Sequence, residues 1–183
     1  MALTATIYPS KLTVSDVDRG VYDTVELRVA QHPSETLRYL LTRLVAYALE
    51  LDEGIAFSRG GLSDTEDPPL SVTDLTGVRR VWIEVGSPSA ERLHKASKAT
   101  RRVVIYTWSD LAHLRREVAS RPIHRMEAIE VVTLDVAFLD ALERAVGRKI
   151  ELELVRTGGQ LYVTGNGVSC ETRVESGTLT APT

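Results

Sequence analysis

Apolar and polar positions alternate at the start of the chain. Val21, Asp23, Val25, Leu27 and Val29 share one parity, Thr24, Glu26 and Arg28 take the other, and Asp18-Arg19-Gly20 supplies a turn after 11–17. Two strands are expected there. The period then changes. His32-Pro33-Ser34-Glu35 carries a proline and an acid, both suited to a first helical turn. Leu37, Leu40, Leu41, Leu44, Val45, Ala48 and Leu49 recur at spacings of three and four, which predicts a helix from 33 to about 51 with one apolar face. A short strand over 55–58 and an acidic loop over 60–69 follow. From 78 the pattern reads strand (78–85), helix (89 to about 99), strand (103–106), helix (110 to about 120) and strand (128–134). Such crossovers imply parallel neighbours in a sheet covered by helices. Asp135 is expected to cap one more helix that stops at Gly147. Strands over 149–156, 160–164 and 168–174 are joined by Gly158-Gly159 and by Asn166-Gly167, the second being the stronger hairpin signal. The stretch 176–183 reads as a frayed tail. The fold class expected is α/β, a compact mixed β-sheet flanked by helices.

Composition narrows the picture. The 183 residues, 43% hydrophobic and 26% charged, suit a single domain over 1–183. The longest apolar stretch, 44–49, is followed by Glu50 and Asp52 and falls far short of the ~20 residues that cross a bilayer. Met1-Ala2-Leu3-Thr4-Ala5 has no basic segment leading into an apolar run, so a cytoplasmic location without membrane contact is expected. With Cys170 the only cysteine, an internal disulfide and a multi-cysteine zinc site are excluded, and His32, His94, His113 and His124 show no ligand spacing. There is no Gly-x-Ser-x-Gly elbow. Gly60-Gly61 and Gly158-Gly159 lack the residues of a phosphate loop and read as turns.

Charge is unevenly distributed. The net charge is −3 and the pI about 5.8, which argues against a protein that coats nucleic acid with its whole surface. Yet 79–125 holds 11 Lys and Arg against four acids, while 52–74 holds six acids against Arg59 alone. The basic segment is the expected flank of any phosphate-binding surface, with nucleic acid as candidate partner.

Glu84 is the conspicuous side chain, an acid within the apolar run Val81-Trp82-Ile83-Glu84-Val85. An unpaired carboxylate buried there costs several kcal/mol or stays protonated. On a structural reading it sits exposed at the strand's end or pairs with Arg80 or Lys95, and on a functional one it holds a metal ion.

The order of motifs resembles the YaeQ family. The residues that carry the resemblance are the opening Met1-Ala2-Leu3-Thr4-Ala5-Thr6-Ile7-Tyr8, the Asp16-Val17-Asp18-Arg19 turn, His32-Pro33-Ser34-Glu35-Thr36, Ser58-Arg59-Gly60, Trp82-Ile83-Glu84-Val85-Gly86 with Pro88, and Lys95-Ala96. The resemblance implies a variation of the PD-(D/E)xK nuclease (restriction endonuclease-like) core. In that core a helix acid precedes a hairpin that bears one acid and then (D/E)-x-K. Carried over, Glu35 matches the helix acid and Glu84 the strand acid. Asp74 is the choice for the preceding acid, with Asp67 and Glu66 as rivals. Gly86 stands where the pattern has lysine, so Lys95 is the candidate ammonium. The family's Lys-Lys-Ala reads His94-Lys95-Ala96 here. The resemblance then implies Mg²⁺ or Mn²⁺ held by Asp74, Glu84 and the Val85 carbonyl, as suits hard cations. Lys95 would activate water and offset charge in the transition state, and Glu35 would orient a water. Arg59, Arg92, Lys98, Arg101 and Arg102 are the expected contacts to a phosphate backbone. Two functions follow: metal-dependent phosphodiester hydrolysis, or a non-catalytic module that binds nucleic acid or protein through the same cleft.

Overall fold

Hydrophobic alternation and helix caps divide the chain into strands β1 (Thr6–Asp16) and β2 (Val21–Gln31), helix α1 (Leu37–Leu49), and strands β3 (Ile55–Phe57), β4 (Leu70–Thr73) and β5 (Arg79–Val85). Then come α2 (Ala90–Ala99), β6 (Arg102–Thr107), α3 (Leu111–Val118), β7 (Glu130–Thr133), α4 (Val136–Ala145), β8 (Ile150–Thr157), β9 (Gln160–Gly165), β10 (Val168–Arg173) and β11 (Glu175–Thr178). The structure, a computed structural model, describes residues 5–58, 66–119 and 121–180. It is an α/β protein with four helices and two mixed sheets. One mixed sheet was the expectation. The difference arises because the first hairpin and the last three long strands pair with one another, leaving the strand-helix-strand series to form its own sheet.

The chain divides into two compact units, Met1–Leu51 with Leu134–Val174 and Asp52–Thr133 with Glu175–Thr183. In the first, the sheet order is β10-β9-β8-β1-β2, with β1 antiparallel to β2 and parallel to β8. Leu12, Val14, Ile150, Leu152, Leu154, Leu161 and Val163 form its inner apolar layer. Helices α1 and α4 pack together, α1 reaching β1 and α4 reaching β10, and Arg38 of α1 pairs with Asp140 and Glu143 of α4. The start of α1 corrects the expected helix over 33–51. Thr36 is the N-cap, its hydroxyl accepting from the Tyr39 N–H at 3.2 Å, and Glu35 lies outside the helix. Proline and an acid suit a first turn, but here they form a separate turn closed by the Glu35 N–H on the His32 carbonyl. At the other end the Arg19 guanidinium donates to the carbonyls of Leu49 and Leu51, satisfying acceptors that a helix terminus leaves open.

In the second unit the order is β11-β7-β6-β5-β4-β3, with β5, β6 and β7 parallel and the remaining pairs antiparallel. Trp82, Leu93, Ala96, Val103, Ile105, Leu114, Val118, Ile129 and Val131 form one buried cluster. It joins one face of β5 to β7 with α2 and α3. The helices begin where Ser89 and Asp110 accept from the Arg92 and Ala112 N–H groups, the stabilising effect of an N-cap. Residues 176–178 correct the frayed-tail expectation. They belong to β11, which pairs antiparallel with β7, and Leu179 is 1% exposed. Arg115 fixes this end by donating to the carbonyls of Thr178, Leu179 and Thr180. No described helix is long and apolar enough to cross a membrane.

Candidate functional site

Because side chains two apart on a strand share a face, Trp82 and Glu84 project from β5 toward the side where α2 packs. The Glu84 residue is 2% exposed. Its Oε1 accepts from the Trp82 indole N–H and from Arg92 Nε, each at 2.6 Å. Arg92 comes from the first turn of α2, and its other arm donates to the Asp67 carbonyl at 2.7 Å. Asp67 in turn accepts from Arg79 at 2.6 Å, and the Arg79 guanidinium lies over the Trp82 ring, 5.0 Å from its centre. One turn further along α2, Lys95 pairs with Glu66. Segment 66–67, β5 and α2 thus bring together three carboxylates and three cations that neutralise one another. Burial pushes the Glu84 carboxyl above the usual range, opposed by Arg92 and by the Trp82 N–H. Neither Arg80 nor Lys95 is its partner, as the sequence reading had it. Arg92 is.

The other expected site residues lie elsewhere or have other tasks. Asp74 sits in the β4–β5 turn, where its Oδ1 accepts from the Thr76 N–H, the Thr76 hydroxyl and the Val78 N–H at 2.9, 2.6 and 3.0 Å. The Thr76 hydroxyl bond leads the causes that hold its carboxyl below the ordinary range. Because Asp74 bonds Val78 across the turn, Glu84 lies six residues up the strand, about 20 Å away. The two cannot share a cation. Of the rivals, Asp67 joins the Glu84 network through Arg92 and Arg79, and Glu66 pairs with Lys95 on the same helix. Among the described residues no group of three or more His, Cys, Asp or Glu is arranged to hold a metal, and a guanidinium on Glu84 repels a second cation. This donor set does not fit Mg²⁺ or Mn²⁺ held by Asp74 and Glu84.

Glu35 belongs to the first unit and is 7% exposed. Arg43 Nη2 lies 2.6 Å and Arg43 Nε 2.8 Å from its Oε1, while the His32 N–H donates to Oε2 at 3.0 Å. Arg59 and Gly60-Gly61 fall outside the described residues.

Much of the basic excess of 79–125 is consumed internally. Arg79, Arg92, Lys95, Arg102 and Arg121 pair with Asp67, Glu84, Glu66, Glu130 and Glu91. Among the described residues Lys98, Arg101, Arg116 and Arg125 make no ion pair. Arg101 and Arg125 line one shallow crease with Ser97 and Thr100, beside the C-terminal turn of α2 that carries Lys98. Sequence reading named Lys98 and Arg101 but missed Arg125, whose φ of 49° is unusual for a residue with a side chain. No local sequence signal marks it.

The family description "YaeQ protein" matches residues 1–174. Uncharacterised YaeQ proteins of Escherichia coli (strain K12) and Salmonella typhi are 37% and 35% identical over 112 residues, a stretch that spans 61% of this chain and 61% of each relative. Crystal structures of YaeQ proteins superpose on the fold. That from Xanthomonas axonopodis pv. citri does so with a TM-score of 0.84 at 30% identity, covering 98% of this chain and 100% of the other. That from Pseudomonas syringae does so with 0.84 at 31%, covering 97% of each.

Proposed function

The chain belongs to the YaeQ family, and we propose that it binds nucleic acid through phosphate contacts from Lys98, Arg101 and Arg125, with no metal-dependent step. The observation that carries this reading is the set of basic side chains around the Ser97-Thr100 crease that no described carboxylate neutralises. Positive side chains that keep their charge free release counterions when they meet a phosphate backbone, and that release is the sequence-independent source of affinity. Arg102, held by Glu130 at 2.9 and 3.0 Å, contributes less. A gel-shift series with single- and double-stranded DNA and RNA tests the proposal. Binding should persist in EDTA, weaken steeply with salt, and fall in Arg101→Ala and Arg125→Ala more than in Arg102→Ala. Absence of binding at low salt, or loss in EDTA, overturns it.

A second reading, Mg²⁺- or Mn²⁺-dependent phosphodiester cleavage, has one observation in its favour. Both contacts to Glu84 use Oε1, and among the described residues Oε2 of this buried carboxylate accepts no hydrogen bond. For that reading Asp67 or Glu66, rather than Asp74, is the second acid, and Lys95 the ammonium. Calorimetry with Mn²⁺ on the wild type and Glu84→Gln separates the two. Uptake that Glu84→Gln abolishes favours cleavage, and no uptake leaves the binding module.

A further inference from the structure

The long outer strand β2 is the feature of the first unit that its own fold leaves incomplete. It has 11 residues, ends the sheet, and among the described residues pairs with β1 alone. On its inward side Val21, Val25 and Leu27 are only half-buried, whereas on the same face of β1 Leu12, opposite Val25, and Val14, opposite Asp23, are 0% and 4% exposed. The apolar layer thus runs out to an uncovered edge. Tyr22, Asp23 and Thr24 are exposed in succession, so neither face is covered there. At the far end Arg43 Nη2 donates to the Ala30 carbonyl at 2.8 Å, which closes the edge beyond Val29. The stretch 21–29, which stays open on this edge among the described residues, is a template for another strand.

The charges on β2 select which strand fits. Glu26 and Arg28 flank Leu27, point to the outer face, and make no ion pair among the described residues. We propose that β2 is the contact edge of a homodimer in which two copies pair antiparallel, with Leu27 opposite Leu27 of the second copy. In that register Glu26 of each copy faces Arg28 of the other on the outer face. Val25 faces Val29 and Leu27 faces Leu27 on the inner face, so the half-buried apolar layer of one copy continues into the other. A two-fold interface requires such self-complementarity, since residue i meets j and j meets i. A shift of the centre to Glu26 sets two carboxylates opposite each other. A shift to Val25 places Asp23 against Leu27. The register centred on Leu27 avoids both, and opposite charges across a strand pair stabilise it while like charges do the reverse.

Sedimentation over a concentration series tests the proposal with a charge exchange. Glu26→Arg and Arg28→Glu should each weaken the dimer by about tenfold or more, because each places like charges opposite twice. The double variant should restore it to within about threefold of the wild type, because the pairs reform with their signs reversed. Hydrogen exchange on the unaltered protein gives a second readout, in which β2 amides gain protection as concentration rises. A monomer at every concentration, a double variant as weak as the single ones, or β2 exchange independent of concentration overturns the proposal.

Discussion

Arg92 Nε lies 2.6 Å from Glu84 Oε1, reaching it from eight residues further along the chain. The side chains are 22% and 3% exposed, so the carboxylate has given up its water and the guanidinium only part of it. Removing the cation alone strands a buried charge, which costs about 3–5 kcal/mol. Arg92→Ala should therefore destabilise the protein by about that much, and adding Glu84→Gln to it should recover a clear part of the loss. Urea unfolding of the four proteins in the cycle measures the coupling. Equal stability of Arg92→Ala and wild type would show that the pair does not hold the fold.

The same carboxyl gives a pH dependence of definite sign. Burial raises it, and Arg92 and the Trp82 N–H only partly offset that, so the folded state holds the proton to higher pH than the unfolded chain does. Its contribution is then greatest below the ordinary carboxylate value and declines as pH rises through the raised one. Relative to Glu84→Gln, which does not titrate, the wild type should lose stability as pH rises above the ordinary carboxylate value of about 4. Thermal melts of both proteins across that range give the difference. A wild type that gains on the variant with rising pH would place the Glu84 carboxyl below its ordinary value.

Glu35 was expected to act as a helix acid, and its surroundings supply a structural task. Arg43 lies 2.6 Å from one oxygen and the His32 N–H donates to the other, all within the first unit. Glu35→Ala leaves a guanidinium that is 7% exposed without its counter-charge, and should cost about 3–5 kcal/mol. If binding follows the Lys98, Arg101 and Arg125 rim, nucleic-acid affinity of the still-folded fraction should be unchanged. A fully stable variant that fails only in function would reverse the assignment.

These contacts also mark what the sequence could reveal. The series β5, α2, β6, α3 and β7 was legible because each strand is a short apolar run and each helix carries a cap, with Ser89 and Asp110 bonding the Arg92 and Ala112 N–H groups. Strand β11 was not, since Glu175-Ser176-Gly177-Thr178 has no apolar period, and its pairing with β7 is a long-range event. Glu84 was legible as an acid in need of a partner. Arg92 as that partner was not, because the strand-to-helix turn between them sets the reach. Asp74 was misleading for a local reason. An aspartate followed two residues later by threonine makes a turn with its own backbone, and that use of the side chain leaves no periodic trace.

Gly86 decides whether a lysine can stand two residues after Glu84, where the resemblance to a (D/E)-x-K pattern would put one. It follows Glu84 by two residues, donates its N–H to the Tyr106 carbonyl at 2.8 Å, and has φ of 82°. That left-handed conformation suits glycine and costs a residue with a Cβ about 1–2 kcal/mol. The end of β5 therefore requires a glycine where the (D/E)-x-K pattern has its lysine. The backbone must leave the strand there to enter the Ser87-Pro88-Ser89 approach to α2. Gly86→Lys should destabilise by about 1–2 kcal/mol and should add no metal-dependent cleavage, because Arg92 still covers Glu84 Oε1. Gly86→Asn, which tolerates this conformation better, should cost less. Denaturant melts of the two variants against wild type rank the costs, and a nuclease assay of Gly86→Lys with and without Mn²⁺ tests the rest. Metal-dependent cleavage by that variant would show that the lysine alone was lacking and that Arg92 yields to the cation.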